Sequence, residues 1–188
     1  MNNVGAVNQS INVRELARPV INKTFGNNTV ILGGAPITLT ITVTNPNPVA
    51  LPAFSITDVF SQLGGQPIIR VAAAPAGTSS CTAGTPATFN PVAGASSVSA
   101  SGGTVAATVA VVANQTNAAY DTGLQANTID RTIQFSNGLG IVPASNAEAD
   151  IRARSPLAIG KLFANAFLSN SQADRFTITL TNSGNSSL

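Results

Sequence analysis

The segment Ile37-Thr38-Leu39-Thr40-Ile41-Thr42-Val43 places an apolar residue at every odd position and threonine at every even one. Side chains change face at each residue of a strand but recur every three to four residues on a helix, so this alternation specifies a half-buried β-strand. Threonine is β-branched and suits a pleated, half-wet surface, so intrinsic propensity agrees with the pattern. Comparable segments lie at 54–60, 68–71, 105–112 and 128–135, the last carrying Ile129, Ile133 and Phe135 on one face. Turn signals separate them: Gly33-Gly34, Asn45-Pro46-Asn47-Pro48, Gly64-Gly65, Gly102-Gly103 and Asn137-Gly138. No window carries a helical period. The pattern predicts an all-β chain of antiparallel strands. The small-residue stretch 72–103 is expected to hold one or two short strands, near 88–92 and Val98, because a structureless loop of that length is uncommon in a compact domain.

Composition narrows the function. Hydrophobic residues make up 44% of the chain and charged residues 9%, against roughly 25% charged in an average soluble domain. Such a chain buries a core and does not match the charge-rich composition of disorder. Histidine is absent, which removes the commonest general base, the commonest zinc ligand and the Ser-His-Asp arrangement together. The carboxylates Glu15, Asp58, Asp121, Asp130, Glu148, Asp150 and Asp174 fall in no glycosidase or calcium-loop pattern. Asp130 and Arg131, read as neighbours on a strand, face opposite sides. Tyr120-Asp121-Thr122-Gly123 reads as a turn. An enzyme, a cofactor and a metal are therefore not expected. The nine basic residues are scattered and the net charge is +2, without the clustered Lys and Arg of a nucleic-acid footprint. Cys81 has no partner cysteine and reads as a small buried hydrophobe. No run reaches the roughly 18 apolar residues needed to cross a bilayer. The Asn-rich opening of the chain, with Arg14, Glu15 and Arg18, lacks the pattern of a signal peptide.

An internal repeat sets the organisation. Ile21-Asn22-Lys23-Thr24-Phe25 matches Ile159-Gly160-Lys161-Leu162-Phe163, and the same spacing pairs Asn8 with Asn146, Val13 with Ile151 and Arg14 with Arg152. After a one-residue deletion, Leu39-Thr40-Ile41-Thr42-Val43-Thr44-Asn45 matches Phe176-Thr177-Ile178-Thr179-Leu180-Thr181-Asn182. Three matches in order indicate the tail of one repeat at 1–16, a complete repeat at 17–154 and the start of the next at 155–188. Antiparallel strands repeated at this spacing predict tandem immunoglobulin-like β-sandwiches. They also predict a longer natural polypeptide with further repeats on both sides.

The run Asn22-Lys23-Thr24-Phe25, then Gly33-Gly34, the alternating strand to Asn47, and Ile56-Thr57-Asp58 resembles the bacterial "conserved repeat" surface domain, domain of unknown function eleven. Asn146-Ala147-Glu148-Ala149-Asp150-Ile151 resembles the end of that pattern, which restarts at Lys161. Phe60-Ser61 stands where the family usually has Leu-Pro, and Cys81 lacks the second cysteine of many members. The resemblance implies an extracellular, tandemly repeated, immunoglobulin-like building block of secreted or cell-surface bacterial proteins, without enzymatic activity.

Two charges break the alternation. Asp58 shares parity with Phe54, Ile56 and Phe60, and Lys23 shares parity with Ile21 and Phe25, so both point inward. A buried charge needs a partner. The simpler reading is a Lys23–Asp58 ion pair near one end of the sandwich. The other is an intramolecular isopeptide, in which a neutral buried lysine attacks an Asn carboxamide polarised by a protonated acid. Asn127 and Asn146 are the candidate electrophiles. The function expected is a non-catalytic structural tile of a stalk, sheath, surface layer or fibre, its partners being neighbouring repeats and copies of itself. The alternative is an adhesive or glycan-binding module working through loops at one end and meeting a surface glycan or host partner.

Overall fold

The computed structural model describes residues 15–63, 65–105, 108–117, 122–165 and 173–182. Asn8, Val13, Arg14, Tyr120 and Asp121 lie outside them. Twelve strands of three or more residues occur among the described residues, and no helix. In chain order they are β1 (Val20–Phe25), β2 (Thr29–Ile31), β3 (Ile37–Thr44), β4 (Ser55–Val59), β5 (Ile69–Val71), β6 (Thr78–Cys81), β7 (Ser97–Ser101), β8 (Thr108–Asn117), β9 (Gln125–Ile129), β10 (Ala147–Arg154), β11 (Leu157–Phe163) and β12 (Phe176–Asn182).

Strands β1 to β10 form a two-layered β-sandwich, and β11 and β12 pair only with each other. One layer runs β1-β3-β8-β5, with β6 also paired to β8, and every pairing in it is antiparallel. The other layer is made of two ladders. In the first, β10 lies between β9, antiparallel, and β2, parallel. In the second, β4 and β7 pair antiparallel, flanked by the two-residue segments Thr88–Phe89 and Phe135–Ser136. The two ladders meet where β9 passes the end of β4: the Asn127 amide donates to the Val59 carbonyl at 2.9 Å and the Ser61 hydroxyl to the Ala126 carbonyl at 2.5 Å.

The alternation on β3 sorts as its sequence requires. Ile37, Leu39, Ile41 and Val43 are buried, and the intervening threonines are half-exposed. They share one core with Phe54, Ile56 and Phe60 around β4, Val98 on β7, and Ile151 on β10. Each such side chain contributes about 1.5–3 kcal/mol by leaving water. The chain at 45–48 is fastened by two buried asparagines. Asn45 donates to the carbonyls of Val49 and Val105, and Asn47 exchanges hydrogen bonds with both backbone groups of Ala17.

Three sequence expectations need correction. The predicted strand over 128–135 ends at Ile129, and Ile133 is 81% exposed. Asp130 Oδ1 accepts from the backbone N–H and hydroxyl of Thr132, closing an Asx turn that lifts the chain off the sheet before Phe135 re-enters it. Asp130 and Arg131 therefore sit in a turn, where Arg131 donates to the carbonyls of Pro143 and Ala144. The stretch 72–103 holds more strand than expected: β6, β7 and the short segments Gly84–Thr85 and Thr88–Phe89. Cys81 is half-buried, packed against the core at one edge of β6.

The hairpin β11–β12 repeats β1–β3 in the same register. Lys23 lies opposite Ile41 and Phe25 opposite Leu39; Lys161 lies opposite Ile178 and Phe163 opposite Phe176. The first hairpin buries its apolar face, whereas Ile159, Phe163, Phe176, Ile178 and Leu180 of the second are exposed.

Candidate functional site

Lys23, Asp58 and Asn127 meet inside the sandwich. Each arrives on a different strand at an inward position set by the alternation of its own segment: Lys23 beside Ile21 on β1, Asp58 beside Ile56 on β4, and Asn127 beside Ile129 on β9. Lys23 crosses from one layer, and the other two belong to the facing layer. All three are buried, at 5%, 0% and 1% exposure. Their cross-strand neighbours are Ile41, Val98 and Ala149, so the surroundings are apolar.

The Lys23 Nζ lies 2.6 Å from Asp58 Oδ2 and also donates to Asn127 Oδ1. The Asn127 Nδ2 donates to the Val59 carbonyl, which fixes the amide with its oxygen toward the lysine. The Phe25 ring centre is 5.3 Å from Nζ and closes another side. Asp58 Oδ1 has no hydrogen-bond partner.

Burial dominates the electrostatics. It pulls the Lys23 ammonium below its ordinary value of 10.5, opposed by the charge and hydrogen bond of Asp58. It pushes the Asp58 carboxyl above its ordinary 3.8, opposed by Lys23 and then by the nearby Asn127 amide. Both shifts favour passing the proton from Nζ to the carboxylate, because a neutral amine and a neutral acid are easier to hold in an apolar pocket than two ions.

Of the four residues singled out from the sequence, three are together and one is elsewhere. Asn146 is exposed ahead of β10, its Oδ1 accepting the Arg131 backbone N–H at 3.1 Å, so it is not part of this cluster. Its place before a strand gave no information on which way it faces. Two participants were missed. The Val59 carbonyl is a backbone group and carries no residue-type signal, while the Phe25 ring is visible only through its i+2 spacing from Lys23.

Elsewhere, Gly26, Asn27, Thr29, Ile31, Pro36 and Thr38 line an open groove beside β2, with neither a charged nor an aromatic side chain among the residues along it. Among the described residues no three His, Cys, Asp or Glu side chains gather as a metal site, and no helix is long and apolar enough to cross a membrane.

No protein-family model matches the chain, and no curated protein matches it. Among solved structures, a cohesin module from a family 33 glycoside hydrolase of Clostridium perfringens is similar to it, at a TM-score of 0.45 and 12% identity, over 73% of this chain and 98% of that one.

Proposed function

We propose that this chain is a non-catalytic structural repeat of a secreted or cell-surface bacterial protein, of the "conserved repeat" kind, which builds a stalk, sheath, surface layer or fibre through tandem and lateral sandwich contacts. The observation that carries the reading is the recurrence of one hairpin in one register, Lys23 against Ile41 and Lys161 against Ile178. A hairpin alone is marginal in water and needs a facing sheet. The exposed Ile159, Ile178 and Leu180 are patterned to meet one. In this reading the complete repeat spans 17–154 and the next begins at 155.

Two further observations support a structural over a chemical role. The buried charged groups among the described residues, Lys23 and Asp58, face each other and not a cleft. The open groove beside β2 has none of the Trp or Tyr platforms on which sugars stack. Negative-stain imaging of the native material tests the reading: ordered fibres, sheets or stalks are expected. Isolated particles that bind an immobilised glycan would overturn it in favour of the adhesive module.

A further inference from the structure

We infer that Lys23 and Asn127 become joined by an intramolecular isopeptide bond, with Asp58 carrying the protons. The inference rests on placement. A lysine amine, a carboxamide and a carboxyl, all buried, come from three strands into one apolar pocket, the amine in contact with both of the others.

The Asn127 amide is already held for the reaction. Its nitrogen is anchored on the Val59 carbonyl and its oxygen is turned toward Nζ, so the carboxamide cannot swing away. An amine and a carboxamide in solution meet rarely and react slowly. Fixing both in contact inside a fold turns a bimolecular encounter into an intramolecular one, with effective molarities that reach about 10⁵ M or more for well-oriented groups.

The chemistry balances without any co-reactant. Lys23 passes one proton to Asp58 and becomes a neutral amine. Its Nζ lone pair attacks Asn127 Cγ, and the protonated Asp58 donates to Oδ1 as negative charge develops there. Asp58 then takes the second Nζ proton and passes it to Nδ2, and Oδ1 returns its proton to Asp58 as the carbonyl re-forms. The Cγ–Nδ2 bond breaks and ammonia leaves, beside the Val59 carbonyl that had held that nitrogen. One Nζ–Cγ amide bond forms, one Cγ–Nδ2 bond is lost, and nothing is oxidised or reduced. The product is a neutral secondary amide, which removes the buried amine altogether and leaves Asp58 as a neutral acid bonded to the new carbonyl. An ion pair in the same place would remain costly to bury.

The second lysine of the repeat pattern supplies an internal control. Lys161 is exposed, with Phe163 and Phe176 rings 4.7 and 4.9 Å from its Nζ. It has no carboxylate within salt-bridge distance among the described residues.

The test is the intact mass of the folded-then-denatured protein. The wild-type chain is expected to be lighter than its sequence by one ammonia, as is Lys161→Ala relative to its own sequence. Lys23→Ala and Asn127→Ala are expected at their full sequence masses. Asn137-Gly138 could also lose ammonia by cyclising on itself, so location matters. Proteolysis should yield a branched peptide joining the segment that contains Lys23 to the one that contains Asn127. A wild-type mass equal to the sequence mass overturns the inference and leaves an ion pair. So does a loss that persists in Lys23→Ala or that maps to Asn137. The wild-type measurement stands even if a variant fails to fold.

Discussion

Removing the carboxylate of Asp58 would strand the amine of Lys23 among Ile41, Phe25 and the Asn127 amide. Asp58→Ala also lacks the acid that forms the Lys23–Asn127 bond, so it is expected to lose at least about 3–5 kcal/mol in urea unfolding, the usual cost of leaving one buried charge unpaired. It should also acquire a characteristic pH dependence. Burial keeps the folded-state pKa of Lys23 below its unfolded value of 10.5. A depressed lysine binds fewer protons folded than unfolded. Its contribution is therefore fully present above the unfolded value and is lost as pH falls through the folded one. The variant should regain stability relative to wild type as pH is raised toward 10.5, and a flat difference between the two would show that Lys23 reaches water. At this scale the sequence was highly legible. Parity alone placed Lys23, Asp58 and Asn127 inward, because a strand has two faces and one of them was visibly apolar. Asn146 was a candidate only for its place just ahead of a strand, where no two-face rule says which way a side chain points.

The turn from Ile129 to Phe135 shows why elements were less legible than residues. Parity runs unbroken through Ile129, Ile133 and Phe135, so alternation alone cannot see a turn inserted at a matching period. The signal that mattered was local: an Asp two residues before a Thr, whose side chain competes with the sheet for backbone N–H groups. The hydrogen bonds from Thr132 hold the Asp130 carboxyl below its usual range. A lowered carboxyl stabilises the turn above its unfolded pKa, and that contribution fades as pH falls through the folded value. An NMR titration should find Asp130 more acidic than in a peptide, and Thr132→Val should return it toward 3.8. The β7 turn offers a second test. Gly102 and Gly103 both have positive φ, 74° and 69°. A Cβ on Gly102 meets open space, whereas one on Gly103 lies 2.5 Å from the Thr85 carbonyl oxygen. Gly102→Ala should cost about 1–2 kcal/mol, the price of the left-handed backbone. Gly103→Ala should cost clearly more in the same thermal melt, since backbone must move. Equal losses would mean that the Gly84–Thr85 edge yields freely. In 72–103 the strands escaped reading because Ala, Ser and Gly give alternation little contrast, and it is pairing to β8 and β4 that orders them.

At the scale of the whole molecule, a net charge of +2 offers little repulsion between copies, and the exposed apolar face of β11–β12 offers something to bury. Light scattering should show species larger than the monomer growing with concentration, and Ile159→Lys together with Ile178→Lys should suppress them. A strictly monomeric wild type would remove lateral contact from the proposed function. The Lys23–Asn127 bond acts on the same scale in another way. It would close a loop spanning 104 residues between the two layers. In the chain-entropy picture, closing a loop of that size stabilises the fold by about 4–5 kcal/mol. Its mechanical consequence is sharper than its thermodynamic one. Force applied at the two ends of a repeat in a stalk passes through β1 and leaves through the strands after β9, so the covalent bond carries the load past everything between them. In single-molecule pulling, wild type should extend only by the residues outside the loop, at any force that spares covalent bonds. Lys23→Ala should release the loop as well, adding about 350 Å of contour length at roughly 3.4 Å per residue. The two chains differ at one side chain, so equal extensions would place the load on ordinary hydrogen bonds, and a stalk built from such repeats would unravel where the proposed one holds.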